Sequence, residues 1–314
     1  MTTYAQLFLI ILPVFAIVVL GVLLRRARWV QEQAEESLFN LVIKVLTPCL
    51  ILDSVAGNPA LREEGNIVFA PLAGFGLTLL GIATAYGVGR LIGLRVGSGL
   101  RTFALTVGIA NYGYLPLPIM EALFGPESRG LLLVHNMGVE AAIWTGGVLV
   151  VSGVSWRAGW RRLLNAPLLA LVVALVLNLS GWTPLVPDAV WSGIRLLGAC
   201  AIPLGLLMTG VSVQPHLDDP GKLWAPRISL GACLVRVAVL PLVFLAVAKF
   251  APVSVELKRV IVVQGAMPTA VISIIIARVY GGQPLTAVQI VLVTTALALF
   301  TIPFWLQLGL RWVG

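Results

Sequence analysis

The chain has 314 residues, 59% of them hydrophobic and 11% charged, with a formal net charge of +8. Soluble domains carry roughly a quarter charged residues, and a mean hydropathy of +1.00 is more apolar surface than a soluble fold of this length can hide, so lipid must act as solvent for much of it. The composition argues against a separate soluble domain and against nucleic acid as partner, and the positive charge reads as Lys and Arg retained in cytoplasmic loops.

A membrane span needs about 20 apolar residues. Polar or Gly/Pro-rich breaks separate ten such runs, near 5–24, 34–56, 66–90, 101–124, 130–152, 164–180, 187–212, 224–249, 257–280 and 285–310. In the first, Leu7 to Leu24, the charges Arg25, Arg26 and Arg28 follow the apolar stretch and no small-residue cleavage site comes after them. That is the reverse of a signal peptide, and the run is predicted to be the first span. Loops after odd-numbered spans hold twelve Lys and Arg: Arg25, Arg26, Arg28, Arg90, Arg95, Arg101, Arg157, Arg161, Arg162, Lys222, Arg227 and Arg278. Loops after even-numbered spans hold five: Arg62, Arg129, Lys249, Lys258 and Arg259. The asymmetry predicts an inner-membrane (plasma-membrane) protein with odd loops in the cytoplasm and both termini outside.

Pro13, Pro48 and Pro71 recur as Pro167, Pro203 and Pro226, at offsets of 154, 155 and 155 residues, and Phe124-Gly125 recurs as Tyr280-Gly281 at an offset of 156. Proline removes a backbone donor that its surroundings must replace, so it is not placed at random in a membrane helix. The landmarks predict a duplicated five-span unit, residues 1–155 and 156–314. Five is odd, so the second copy enters from the opposite face, giving an all-α fold of ten spans in a 5+5 inverted repeat.

The fourth and ninth runs are interrupted. Gly108, Asn111, Gly113, Pro116 and Pro118 break the fourth, and Gln264, Gly265 and Pro268 break the ninth. Irregular backbone survives at membrane depth only where it lines a cavity or is buried in protein. Two broken helices at matching places in two inverted halves mark a transport site, whose half-helix N-termini are expected to offer N–H groups and positive dipole ends to an anion.

At these residues the sequence resembles the auxin efflux carrier family, which includes plant auxin exporters and bacterial carriers of malate or malonate type. The similarity runs through LPVFAIVVLGVLLRR, TPCLILDSVAG, NYGYLPLPIMEALFG, PLGLLMTGVSV and GAMPTAVISIIIARVYGG. The resemblance implies that spans 4 and 9 cross near the bilayer centre with substrate beside the crossing. It implies that Asn111 hydrogen-bonds a substrate carboxylate and that Pro118 and Pro268 are the crossover prolines. It also implies a scaffold of spans 1, 2, 6 and 7 that commonly forms a homodimer, with spans 3–5 and 8–10 moving as an elevator. The sequence departs from the plant exporters in four places. Ser273 stands where they have a second proline, Glu140 where they have a glutamine, residues 66–89 lack their acid–base pair, and the long central loop is reduced to a short basic connection. Auxin as substrate and the plant coupling scheme do not carry over with the motifs.

The candidate substrate-binding residues are therefore Asn111, Tyr112, Gly113, Pro116 and Pro118 on the first break, and Gln264, Gly265, Met267 and Pro268 on the second. Arg236 joins them, a guanidinium midway along the eighth span that could fork onto a carboxylate, pair with Glu140, or cap a broken-helix carbonyl. Glu140 and Asn136, i and i+4 on the fifth span, with His135 beside them, are candidates for proton coupling. Lys44 and Arg195 read as structural or lipid-facing, Asp53 and Glu121 as ordinary span-end charges, and Trp29, Trp156, Trp160, Trp224, Trp305 and Trp312 as an interfacial belt. Cys49, Cys200 and Cys233 have neither metal-ligand nor disulfide spacing. No metal or cofactor is predicted.

No phosphate-binding loop, zinc-protease motif or nucleophile elbow occurs, so no enzyme is predicted and drive must come from an ion gradient or the substrate's own. The expected function is a secondary carrier of small organic anions in the bilayer. The alternatives are a sodium-coupled anion symporter of bile-acid-carrier type and a non-transporting membrane sensor on the same fold.

Overall fold

The computed structural model describes residues 3–63, 65–152, 164–218 and 225–313. Among them there is no strand, and the helices follow one another as α1 (Tyr4–Arg26), α2 (Glu32–Val55), α3 (Asn66–Leu91), α4 (Leu100–Gly108), α5 (Pro116–Phe124), α6 (Ser128–Ala142, carried on to Ser152), α7 (Ala166–Ser180), α8 (Asp188–His216), α9 (Pro226–Phe250), α10 (Val255–Ala266), α11 (Ile272–Val279) and α12 (Pro284–Val313). The apolar runs fall on these helices, and the fourth and ninth are each a pair of short ones. Among the described residues six helices, α1, α2, α3, α8, α9 and α12, are long and apolar enough to cross a membrane. The basic connection between the halves, Trp156 and Trp160 on it, and Lys222 and Trp224 lie outside the described residues.

Local chemistry sets the ends. Thr3 and Gln6 form a reciprocal capping box on α1, while Asn165 and Ser254 cap α7 and α10 through their side-chain oxygens. Three stretches widen to π-type hydrogen bonding, Val42–Leu46 in α2, Ile143–Gly147 in α6 and Leu234–Val239 in α9. Such turns leave carbonyls that need other partners, and Trp305 of α12 donates its Nε1 to one of them, Val237 O, at 2.7 Å. Trp305 is only 9% exposed, so it is a packing and hydrogen-bonding residue, not part of the interfacial belt. Trp29 and Trp312 remain exposed.

α1 lies against α8 with Gly21 and Gly210 at the contact, where a Cβ on Gly210 would run into the Val18 carbonyl. α8 also packs on the second half of α2, which packs on α7. α3 lies against α6 in the same manner, through Gly74 and Gly138, and also holds α4. α9 and α12 enclose α10, and α12 further touches α4 and α1. Close glycine-mediated approach suits a lipid environment, where packing and not water exclusion drives helices together.

Candidate functional site

The two interruptions meet. Ile109 leaves α4 with extended backbone (φ −90°, ψ 115°), and Met267 leaves α10 the same way (φ −71°, ψ 147°), as a residue before proline must. Ala110 and Thr269 then pair as an antiparallel bridge. Asn111 N–H donates to Pro268 O at 2.7 Å and Ala270 N–H to Ile109 O at 3.0 Å. Each break thus supplies the backbone partners that the other lost, which is how unwound chain is tolerated at membrane depth.

Pro116 and Pro118 do not kink a helix interior. Pro116 begins α5, where the N–H groups have no intrahelical partner in any case. The same prolines carry no N–H, so this terminus offers an anion its dipole and fewer donors than the sequence suggests. At α11, Ser273 N–H and Ile274 N–H already bond Ala270 O and Val271 O.

Asn136 on α6 ties the two breaks together. Its Nδ2 donates to Tyr112 O at 2.7 Å and its Oδ1 accepts from Gln264 Nε2 at 3.0 Å, with His135 Nδ1 at 3.4 Å from the same oxygen. Thr269 is locked from the other side, its hydroxyl 2.8 Å from that of Thr294 on α12. Asn111, Tyr112, Gly113 and Tyr114 all keep solvent access, and among the described residues the Asn111 side chain makes no hydrogen bond.

Arg236, 1% exposed, lies behind the second break. Its Nε donates to Met267 O at 2.8 Å, and its Nη2 to Gln264 O at 3.1 Å and Gly265 O at 3.4 Å. Of the three roles open to it in the sequence, this geometry is the carbonyl cap. No carboxylate pairs with it among the described residues, and Nη1 is without a partner, as are Gln264 Oε1 and His135 Nε2. Glu140 instead accepts from Asn165 Nδ2 at 3.2 Å, on the residue that caps α7.

Sequence reasoning missed Thr47, Tyr114, Asn165 and Thr294. Thr47 Oγ1 donates to Val42 O at 2.8 Å, so the Tyr114 hydroxyl, 2.7 Å away, is the donor to Thr47, and the Tyr114 ring fills the space beside Gly205 of α8. The Asn165-Ala166-Pro167 string was a readable helix start; nothing marked the other three. Lys44 and Arg195 are exposed on their helices, outside the crossing. Asp53 and Glu121 share Arg129, at 3.7 and 3.4 Å. The three thiols are unpaired.

A polar crossing of broken helices inside an apolar helical protein defines the class: a membrane transporter, not an enzyme. The chain belongs to the membrane transport protein family, which matches residues 7–155 and 148–306, and this is the auxin efflux carrier family that its motifs resemble. An uncharacterized transporter of Methanocaldococcus jannaschii is 21% identical over 303 residues, covering 94% of this chain and 96% of the relative. One from Methanothermobacter thermautotrophicus is 24% identical over 301 residues, with the same coverage of both chains.

Proposed function

We propose that this protein is a secondary carrier of small organic anions, with the substrate carboxylate held by Asn111 beside the helix crossing. The observation that carries the proposal is an accessible amide side chain without a partner, on backbone whose own hydrogen bonds are made by the opposite break. Such a group is rigidly presented and can bind a carboxylate without first breaking another bond. Tyr112 and Gly113 flank it, Pro116 and Pro118 set the direction of α5, and the dipole of that helix favours negative charge. Gln264, Gly265, Met267 and Pro268 form the wall behind, and Arg236 supplies positive charge from beyond that wall.

In this proposal the chain spans the membrane ten times as two inverted halves, with both termini outside as the loop charges require. α1, α2, α7 and α8 act as the scaffold of a homodimer, and α3–α6 with α9–α12 move past it as an elevator. Tyr114 on Thr47 and Glu140 on Asn165 are contacts between those two groups, and both must be remade as one slides on the other. Glu140, with His135 and Asn136 one turn away, is the proton-coupling candidate.

The test is flux in proteoliposomes with malonate, malate, pyruvate and indole-3-acetate as probes, under imposed Na⁺ or pH gradients. At least one carboxylate is expected to exchange, and Glu140→Gln is expected to abolish drive by the pH gradient while leaving exchange intact. If wild-type protein exchanges none of them but still binds one, the chain is a sensor on this fold.

A further inference from the structure

The carbonyl end of α10 presents three oxygens, Gln264 O, Gly265 O and Met267 O, to one point in the protein interior. The last carbonyls of any helix lack intrahelical partners and carry the negative end of its dipole. Buried away from water, such a cluster needs a cation or a set of donors. A loosely held inorganic ion is one solution, and it would then move with the transport cycle. Here a side chain occupies the place. Arg236 sits in the widened stretch of α9 whose Val237 carbonyl is held by Trp305, and its Cζ lies 5.8 Å from the centre of the Phe244 ring. Backbone and side chain are thereby both fixed. The planar fork reaches all three oxygens, which the point charge of a lysine could not do equally well.

The offset that relates Pro48 to Pro203 and Pro71 to Pro226 takes Gly81 to Arg236. Gly81 also faces the carbonyl end of a broken helix. A Cβ there would lie 2.7 Å from Gly108 O, so α3 and α4 touch backbone to backbone and no space is left for an ion. The same place in the two halves is closed by contact in one and by a tethered charge in the other.

We propose that Arg236 is a positioning residue that does at the second break what a bound inorganic cation would otherwise do. It holds residues 264–270 against the first break through the cycle, and substrate movement needs no Na⁺ at this point. The second half of that statement rests on the carrier function; the first does not.

The experiment combines hydrogen exchange and thermal unfolding of purified protein, with wild type, Arg236→Lys, Arg236→Met and Arg236→Ala. In wild type, replacing NaCl by choline chloride is expected to leave both readouts unchanged. In Arg236→Ala the bridge amides of Asn111 and Ala270 are expected to exchange about tenfold faster or more, with α1 unaffected. Millimolar methylguanidinium is expected to restore their protection where tetramethylammonium does not, and Arg236→Lys is expected to fall between wild type and Arg236→Ala. Saturable stabilisation of wild type by Na⁺ would overturn the proposal, as would Arg236→Met with wild-type protection of the bridge. If the neutral variants do not fold, the Na⁺ comparison on wild type and the exchange of Arg236→Lys decide. Flux of a transported anion separates this from the wider function: Arg236→Lys is expected to lower the maximum rate and leave KM in place. Absence of flux for every carboxylate would count against the carrier, leaving exchange and Na⁺ response to judge Arg236 by themselves.

Discussion

At the first helix break, four consecutive residues from Asn111 to Tyr114 keep solvent access and the Asn111 side chain is unbonded among the described residues, whereas at the second every residue from Gln264 to Ala270 is buried. The first break opens into α5 through two prolines. The second is capped by a guanidinium, bridged to Asn136 and pinned through Thr269 to α12. At the second break Arg236 Nε and Nη2, Gln264 Nε2 and the Thr269 hydroxyl are committed to partners, although Arg236 Nη1 and Gln264 Oε1 are not, and removing a partner strands the other. Polar groups that are accessible and unpartnered are available to a ligand. In the proposed function the pairing of the breaks marks the site, and the difference between them gives binding to the first break and support to the second.

That contrast can be broken at several points. Asn136→Leu has the largest expected effect, because it strands Gln264 Nε2 and Tyr112 O together. A loss of about 3 kcal/mol is expected in thermal unfolding, with transport lost as well. Tyr114→Phe removes one neutral hydrogen bond and is expected to cost about 1 kcal/mol, and Thr47→Val about 2 kcal/mol, because it also gives up the bond to Val42 O. If the two substitutions together cost the sum of each alone, the bond seen between them does not matter to stability. Arg129→Gln is expected to cost roughly 0.5 kcal/mol or less, because its partners Asp53 and Glu121 are partly exposed, and high salt should erase the difference. Asn111→Ala has the smallest expected effect on stability, within about 0.5 kcal/mol, because the side chain makes no hydrogen bond among the described residues. Its effect on transport is expected to be complete.

Much of this was legible in the sequence, for particular reasons. Uninterrupted apolar runs and Gly/Pro breaks are local signals, so the helices fell near their expected bounds. Gly108, Asn111, Pro116 and Pro118 are close together, and the break they make was visible for that reason. Asn136 and His135 stand out in the sequence as coupling candidates one turn from Glu140, but the bonds from Asn136 to Tyr112 O and Gln264 are long-range and have no local signal. The partners of Arg236 were not readable, since they are carbonyl oxygens 28 to 31 residues away and carbonyls have no residue signature. The widened turns in α2, α6 and α9 left no mark either, and with them went Thr47, the fixed orientation of Arg236 and the buried role of Trp305. The prolines of α5 carry a helix-breaking signal in the sequence, whereas in the structure Pro116 starts a helix.

The central claim is that the first break receives the anion and the second does not. Hydrogen exchange of purified protein, with and without each of a panel of small mono- and dicarboxylates, tests it most directly. A carboxylate that binds wild type is expected to slow exchange across 112–115, to leave 264–267 unchanged, and to have no effect on Asn111→Ala. Protection centred on 264–267, or undiminished in Asn111→Ala, would contradict it.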